Sequence, residues 1–380
     1  MPYHIEKLVQ GGEGLTTSEE GKRILVEGVL PGELVELTDF QEKAGFIRAK
    51  KSQLLQASEK RIAPSCPYWG VCGGCDFQYA DAQEQARLKE SMVLDTITRL
   101  GKIAPNNYAV DQVASSVGWG YRSRVRFHVD LAERKVGFLG RRSNTLVPIE
   151  HCPILNEKLN AVLARPERLF ASAREQMFKN RKGKGGFLEV PAFSGDEEVS
   201  LLQDVVSVTV SGHVFFVSAS VFFQSNELLL PSLVEYVASH AQGSTVMDLY
   251  SGVGTFSAFL QREGRQVIAV ERQKECLSLA KRHTPHCQFF SEPVERWAKV
   301  HKGQVDTVVV DPPRQGLDAS LPSLIASWNA HRLIYVSCNS VALGRDLQRF
   351  SSEGYTLKQV KVFDLYPQTF HSEVVAVLDR

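Results

Sequence analysis

Three cysteines crowd into ten residues of "SCPYWGVCGGCDFQ": Cys66, Cys72 and Cys75. Thiols this close suit a metal, a disulfide or redox work. A fourth reactive candidate is Cys338, which ends the apolar run of "IYVSCNS" beside Ser337 and Asn339. Carboxylates stand at comparable places. Asp311 closes "VVVD" just before two prolines that cannot continue a sheet, and Glu271 closes "VIAVE". In "FHSEVVAV", His371 and Glu373 fall on one face of a strand, and a Glu entering an apolar strand is costly unless it has a task or an ion-pair partner. Cys276 and Cys287 lack such surroundings and read as small buried hydrophobes.

Placing these residues takes more than one core, since 380 residues imply two or three domains. The 43% hydrophobic and 23% charged fractions are those of a soluble globular protein. The opening "MPYHIEKLVQ" has no apolar stretch of signal-peptide length, and no apolar run is long enough to span a bilayer. The expectation is a cytoplasmic monomer with no membrane association. Thiols stay reduced in that compartment, which favours metal or catalysis over disulfides. The net charge of +1 hides an asymmetry: Trp119–Gly185 holds fifteen Lys/Arg against six Asp/Glu. A basic middle between acidic flanks suits a polyanion partner, although "FKNRKGKGG" alone reads as a solvated loop.

The rhythm of the chain changes twice. Residues 1–58 carry short alternating runs broken by Gly and Pro, such as "ILVEGVLPGELVELTDF", which suggest a small β-barrel. "DAQEQARLKESMVLDTITRL" has helical spacing and predicts a helix over about 81–100 that packs on the last domain. Residues 59–215 are otherwise β-rich. In "YRSRVRFHV", Arg122, Arg124 and Arg126 share one strand face over an apolar underside, either a phosphate-contacting ladder or ordinary outward charges. From 216 to 380, apolar runs alternate with helical stretches, as in a parallel sheet covered on both faces. "LKQVKVFDLYPQ" and "EVVAVLDR" would then pair antiparallel at its edge.

"VMDLYSGVGTF" reads as a strand, a tight turn with Gly252 and Gly254, and a helix. Glu271 follows Gly252 by nineteen residues, where a carboxylate accepts from ribose hydroxyls. Ser257 stands where a dinucleotide fingerprint wants a third Gly. A nucleoside ligand without phosphates, such as S-adenosylmethionine, fits better.

Together "SCPYWGVCGGCDFQ", "YRSRVRFHV", "FFQSN", "DLYSGVGTFS", "DPPRQGL", "SCNS" and "HSEVVAVL" resemble the S-adenosylmethionine-dependent RNA uracil-5-methyltransferases over nearly the whole chain. The resemblance implies an α/β fold: a Rossmann-like class I methyltransferase domain over 216–380, a TRAM-like RNA-binding barrel over 1–58, and a central iron–sulfur, RNA-binding domain over 59–215. It implies that Cys338 adds to carbon 6 of uracil and that Glu373 later removes the proton from carbon 5. Gln224, Tyr250, Gly252, Glu271 and Asp311 would line the cofactor pocket, with Thr255 where many members carry a contacting Asn. Ser251 stands in place of a common Cys, which affects packing only. C-x5-C-x2-C plus a remote Cys allows zinc as readily as iron. The resemblance tips this to a 4Fe–4S cluster on Cys66, Cys72, Cys75 and Cys152, with a structural role. The barrel and the cluster together point to 23S ribosomal RNA, with the T-loop uridine of transfer RNA as the rival substrate. A non-catalytic metal–RNA binding module would not need Cys338, Glu373 and the glycine turn together. A radical enzyme would need the C-x3-C-x2-C triplet that is absent here.

Overall fold

The computed structural model describes residues 2–43, 45–180, 187–261 and 264–380. Arg181–Gly186, the core of the lysine-rich stretch, therefore lies outside the described residues.

Among the described residues, six N-terminal strands form one sheet: β1 (Pro2–His4), β2 (Lys7–Leu8), β3 (Gly14–Thr17), β4 (Arg23–Val26), β5 (Leu34–Lys43) and β6 (Phe46–Gln56). Their order is β1-β5-β6-β4-β3-β2. The segment Pro2–Leu8 pairs with β5 at one end and β3 at the other, so the sheet closes on itself. Ile5, Ile24, Val26, Val29 and Val35 fill its interior. The strands flanking Pro31-Gly32 do not pair with each other; β4 instead runs parallel to β6.

Helix α1 (Ala82–Gly101) begins where Asp81 accepts a hydrogen bond from the Glu84 N–H, and it ends at Lys102 in the left-handed region. Its last turn meets α9 (Ser340–Ser352) at Gly344, where a Cβ would come within 3.0 Å of Leu100. After α1 comes β7 (Ala109–Ala114). The central sheet then has the order β10-β9-β8-β11-β12, from β8 (Arg124–Asp130), β9 (Lys135–Leu139), β10 (Leu146–Pro148), β11 (Leu188–Ser194) and β12 (Val199–Leu201). Helices α2 (Glu157–Ala164) and α3 (Glu167–Asn180) pack on it, burying Phe127, Leu159, Leu169 and Val190 together. A hairpin follows, β13 (Val205–Val210) with β14 (His213–Ser218).

The C-terminal part alternates strand and helix: α4 (Leu230–His240), β15 (Thr245–Leu249), α5 (Thr255–Leu260), β16 (Gln266–Val270), α6 (Lys274–His283), β17 (Gln288–Phe290), α7 (Val294–Val300), β18 (Thr307–Val310), α8 (Leu321–Ser327), β19 (Arg332–Ser337), α9, β20 (Thr356–Phe363) and β21 (Glu373–Asp379). The sheet order is β17-β16-β15-β18-β19-β21-β20-β7. Strands β15 to β19 run parallel to one another, and β21 is antiparallel to both β19 and β20. Apolar residues face both ways. Val308 and Val310 join the core formed with α1, α7, α8 and α9, while Val309 joins that formed with α4, α5, α6 and the hairpin. This is why the strands read as unbroken apolar runs.

Two expectations change. Strand β7 extends the C-terminal sheet by pairing parallel to β20, so the edge expected of the last two strands belongs to residues 109–114. The expected boundary at 216 falls inside β14, whose hairpin packs on the same core as β15. Among the described residues, no helix is long and apolar enough to cross a membrane.

Candidate active site

The sheet order reverses between β15 and β18, where open α/β folds bind ligands beyond the carboxyl ends of their strands. A cavity of about 870 Å³ opens there, walled by Gln224, Tyr250, Gly252, Glu271, Asp311, Arg314, Cys338 and Glu373. The candidates read from strand ends thus meet in one place, although more than a hundred residues separate Tyr250 from Glu373. Thr255, at the start of α5, is not among the residues lining it.

The glycine turn is built by its neighbours. Tyr250 sits at φ 63°, a region bulky residues rarely occupy, and its hydroxyl donates to Glu295 Oε1 at 2.6 Å. Gly252 (φ 54°) follows, and its N–H donates to Glu271 Oε2 at 3.2 Å. The other oxygen of Glu271 accepts from the Gln273 N–H at 2.7 Å. Beneath the turn, buried Asp248 accepts from Ser257 Oγ at 2.5 Å, and burial pushes its carboxyl up to about 7.

Cys338 leaves β19 just before Asn339, which caps α9 by accepting from the Val341 N–H and also donates to the Arg314 carbonyl at 2.8 Å. Burial, then the charges of Glu373 and Asp311, push the Cys338 thiol up to about 11; Arg314 opposes them. Glu373 is 2% exposed, and its Oε1 has no hydrogen-bond partner among the described residues. Burial first, and Asp311 second, hold its carboxyl well above the ordinary range, again opposed by Arg314. Asp311 is raised too, by burial and by Asp248. A thiol and several carboxyls therefore share a poorly solvated cavity, and they cannot all be ionised together.

Sequence reasoning missed Arg314, although "DPPR" displays it. It also missed Phe222, an exposed aromatic on the cavity wall with the Arg124 guanidinium 5.8 Å from its ring centroid. An exposed Phe beside a basic group was the available signal. The expected strand alternation holds within β8, where Val125, Phe127 and Val129 are buried and Arg126 is exposed. The ladder itself is uneven. Arg122 precedes the strand and turns its Nε onto the Arg124 carbonyl, whereas Arg126 pairs with Glu189 at 3.5 Å.

Cys66, Cys72, Cys75 and Cys152 line a second cavity, of about 380 Å³. Gly73, Gly74, Arg122 and Arg124 belong to its wall and to that of the first cavity. Burial raises the Cys75 thiol to about 12 and raises Cys72 and Cys152 as well. Among the described residues, no group of three or more His, Cys, Asp or Glu side chains is close enough to hold one metal ion. Cys276 and Cys287 are buried in the core, as read.

The family model for tRNA (uracil-5-)-methyltransferases matches residues 296–380, the stretch that supplies Asp311, Cys338 and Glu373. An uncharacterized RNA methyltransferase of Thermotoga maritima is 29% identical, over 98% of this chain and 98% of its own. The 23S rRNA (uracil(1939)-C(5))-methyltransferase RlmD of Nitrosospira multiformis is 28% identical, over 100% of this chain and 98% of its own. Among solved structures, the Pyrococcus abyssi tRNA (uracil-54, C5)-methyltransferase, in complex with S-adenosyl-L-homocysteine, has the same fold. Its TM-score is 0.76 at 22% identity, over 100% of both chains. A thiol and a buried carboxyl thus lie at the carboxyl edge of this sheet, in a chain that is similar from end to end to RNA methyltransferases and whose last part matches the tRNA (uracil-5-)-methyltransferase model.

Proposed function

We propose that this protein transfers a methyl group from S-adenosylmethionine to carbon 5 of a uridine in 23S ribosomal RNA, through a covalent bond between Cys338 Sγ and carbon 6. The observation that carries the reading is the cavity itself. Cys338 and Glu373, the latter with a free buried oxygen, share it with the Gly252 turn and Glu271. The residues fit the cofactor: Glu271, at the carboxyl end of β16, would accept from ribose hydroxyls, and Gln224, Tyr250 and Asp311 line the same pocket. When bound, S-adenosylmethionine supplies an electrophilic methyl group whose leaving group is a neutral thioether. The protein's task is to make carbon 5 nucleophilic. Cys338 thiolate adds to carbon 6, and the electron pair moves to the carbon 5–carbon 4–oxygen enolate. Once carbon 5 is methylated, Glu373 Oε1 takes its proton, the carbon 5–carbon 6 double bond re-forms, and the thiolate leaves. Arg314 favours the anionic form of both acting groups. Phe222 offers the base a stacking face, and Arg122, Arg124 and Arg126 offer the strand its phosphate contacts.

Cys66, Cys72, Cys75 and Cys152 would hold a 4Fe–4S cluster. Four thiols around one cavity would supply the ligand set that such a cluster takes. Its contribution would be to tie the 66–75 segment to Cys152. Full-length similarity to ribosomal RNA enzymes favours the 23S substrate. The fold shared with a transfer RNA enzyme favours the T-loop uridine as the second reading.

The test offers both RNAs with S-adenosylmethionine and maps 5-methyluridine. RNA carrying 5-fluorouridine should trap the enzyme covalently, because fluorine cannot leave as a proton does. Glu373→Gln should stall after methyl transfer and leave methylated RNA on Cys338, since loss of a general base costs about 10²–10⁴ in rate. Cys338→Ala should form no adduct; an adduct that survives in this variant names another nucleophile.

A further inference from the structure

The segment that delivers Glu373 is held mainly by residues from the other end of the chain. Residues 364–372 join β20 to β21, and their polar groups are taken up by the cysteine-rich stretch, by α1 and by Tyr121. The backbone N–H groups of Asp76 and Phe77 both donate to the Gln368 carbonyl at 3.0 Å. Asp76 Oδ1 accepts from the Phe370 N–H at 3.0 Å. Gln85, fully buried on α1, grips Gln368 twice: it donates to its side-chain oxygen at 3.0 Å and accepts from its N–H at 2.7 Å. Tyr121 donates to the Pro367 carbonyl at 2.9 Å. The Phe77 and Phe370 rings lie 4.3 Å apart, and Phe370 also fills the space a side chain at Gly12 would need. Gln368 itself is at φ 69°, a conformation that persists where its surroundings over-determine it.

Cys338 is held differently. Asn339 and Ser337 secure it within its own sheet and helix, through bonds to Val341, Arg314 and each other. The two acting groups share the pairing of β19 with β21, but the loop leading into Glu373 has supports of its own.

We infer that Asp76 and Gln85 are positioning residues for Glu373, so that the cysteine-rich stretch and α1 set the rate of proton removal from carbon 5 and not that of thiolate attack. The inference rests on the reaction proposed above. A misplacement of about 1 Å can cost up to about 100-fold in rate. Loosening the clamp should therefore slow elimination and leave the earlier steps intact.

The experiment compares Asp76→Ala, Gln85→Met and Gln368→Gly with the unmutated protein, each incubated with substrate RNA and S-adenosylmethionine. Gln368→Gly removes the side-chain bonds at a backbone conformation glycine adopts freely, so it serves if a buried variant fails to fold. Turnover should fall about 10- to 100-fold. KM for RNA should fall along with turnover, leaving kcat/KM little changed, and a methylated covalent adduct should accumulate although Glu373 is present. Asp76→Asn, which keeps the acceptor oxygen, should restore turnover and clear the adduct. A fall in turnover without adduct, or a rise in KM alone, would overturn the positioning role. Failure of the unmutated protein to be trapped by 5-fluorouridine RNA would instead overturn the reaction itself.

Discussion

The environment of Cys338 makes a quantitative demand on its reactivity. Its thiol stands at about 11 against an ordinary 9.0, with burial the first cause and Glu373 the second. At neutral pH that is about one hundredth of the usual thiolate, the form that reacts. A more basic thiolate is the better nucleophile, with a Brønsted slope near 0.4–0.5, which returns about a factor of ten. Iodoacetamide should therefore alkylate Cys338 about tenfold more slowly than an exposed cysteine peptide at about pH 7.5. The pH profile separates ionisation from steric shielding. The rate at Cys338 should keep climbing about tenfold per unit to about pH 10, where a peptide thiol has levelled off. Glu373→Gln removes a charge that disfavours the thiolate, so it should speed alkylation of Cys338 a few-fold at alkaline pH while it stalls turnover. Mass spectrometry of the peptide containing Cys338 reads both effects. A plateau near about pH 8–9, or a Glu373→Gln profile identical to that of the unmutated protein, would refute this account.

Lys89 Nζ donates to Asp364 Oδ1 at 2.5 Å with neither side chain exposed, and burial pushes both groups toward their neutral forms. Lys89→Met should cost about 3–5 kcal/mol in denaturant unfolding, and Lys89→Met with Asp364→Leu should recover most of it. Anaerobically purified protein should carry iron and acid-labile sulfide, and Cys152→Ser should remove the visible absorption as completely as Cys72→Ser; stoichiometric zinc without sulfide would reject the cluster. Replacing Arg122, Arg124 and Arg126 with Gln should weaken RNA binding and lower the slope of log K against log salt by up to about 0.7–0.9 for each phosphate no longer neutralised. Because Glu189 already pairs with Arg126, that residue should contribute least; an unchanged slope would make all three ordinary surface charges.

Residues that end apolar runs were the most legible part of the site. Glu271, Asp311 and Cys338 each follow a buried strand, and such strands carry their acting groups at one edge whatever the loops do. Helix α1 was legible from its spacing. Strand β7 was not: "AVDQVA" breaks its apolar residues with Asp111 and Gln112 and buries none of them fully, so its structural claim is the pairing it finds with β20. The approach of Cys152 to the other three thiols is likewise tertiary, and spacing alone gave no distance for it. Asp76 and Gln85 left no trace because buried polar residues acquire meaning only from the groups they meet. Arg122 shows the limit of alternation, since the regular strand begins two residues later.

The pairing of β7 with β20 also bears on how the protein can be made and cut. Strand β20 finds its outer neighbour more than two hundred residues upstream, so β7 must wait, unpartnered, until β20 has been made. Such long-range closure is slow and leaves apolar surface open meanwhile. A fragment beginning near residue 216 would keep the glycine turn, Cys338 and Glu373, yet it would expose the bare backbone edge of β20. Unprotected edges recruit other chains. The catalytic part is thus no module to be lifted out: its sheet becomes safe in solution only when the first third of the chain lies along it.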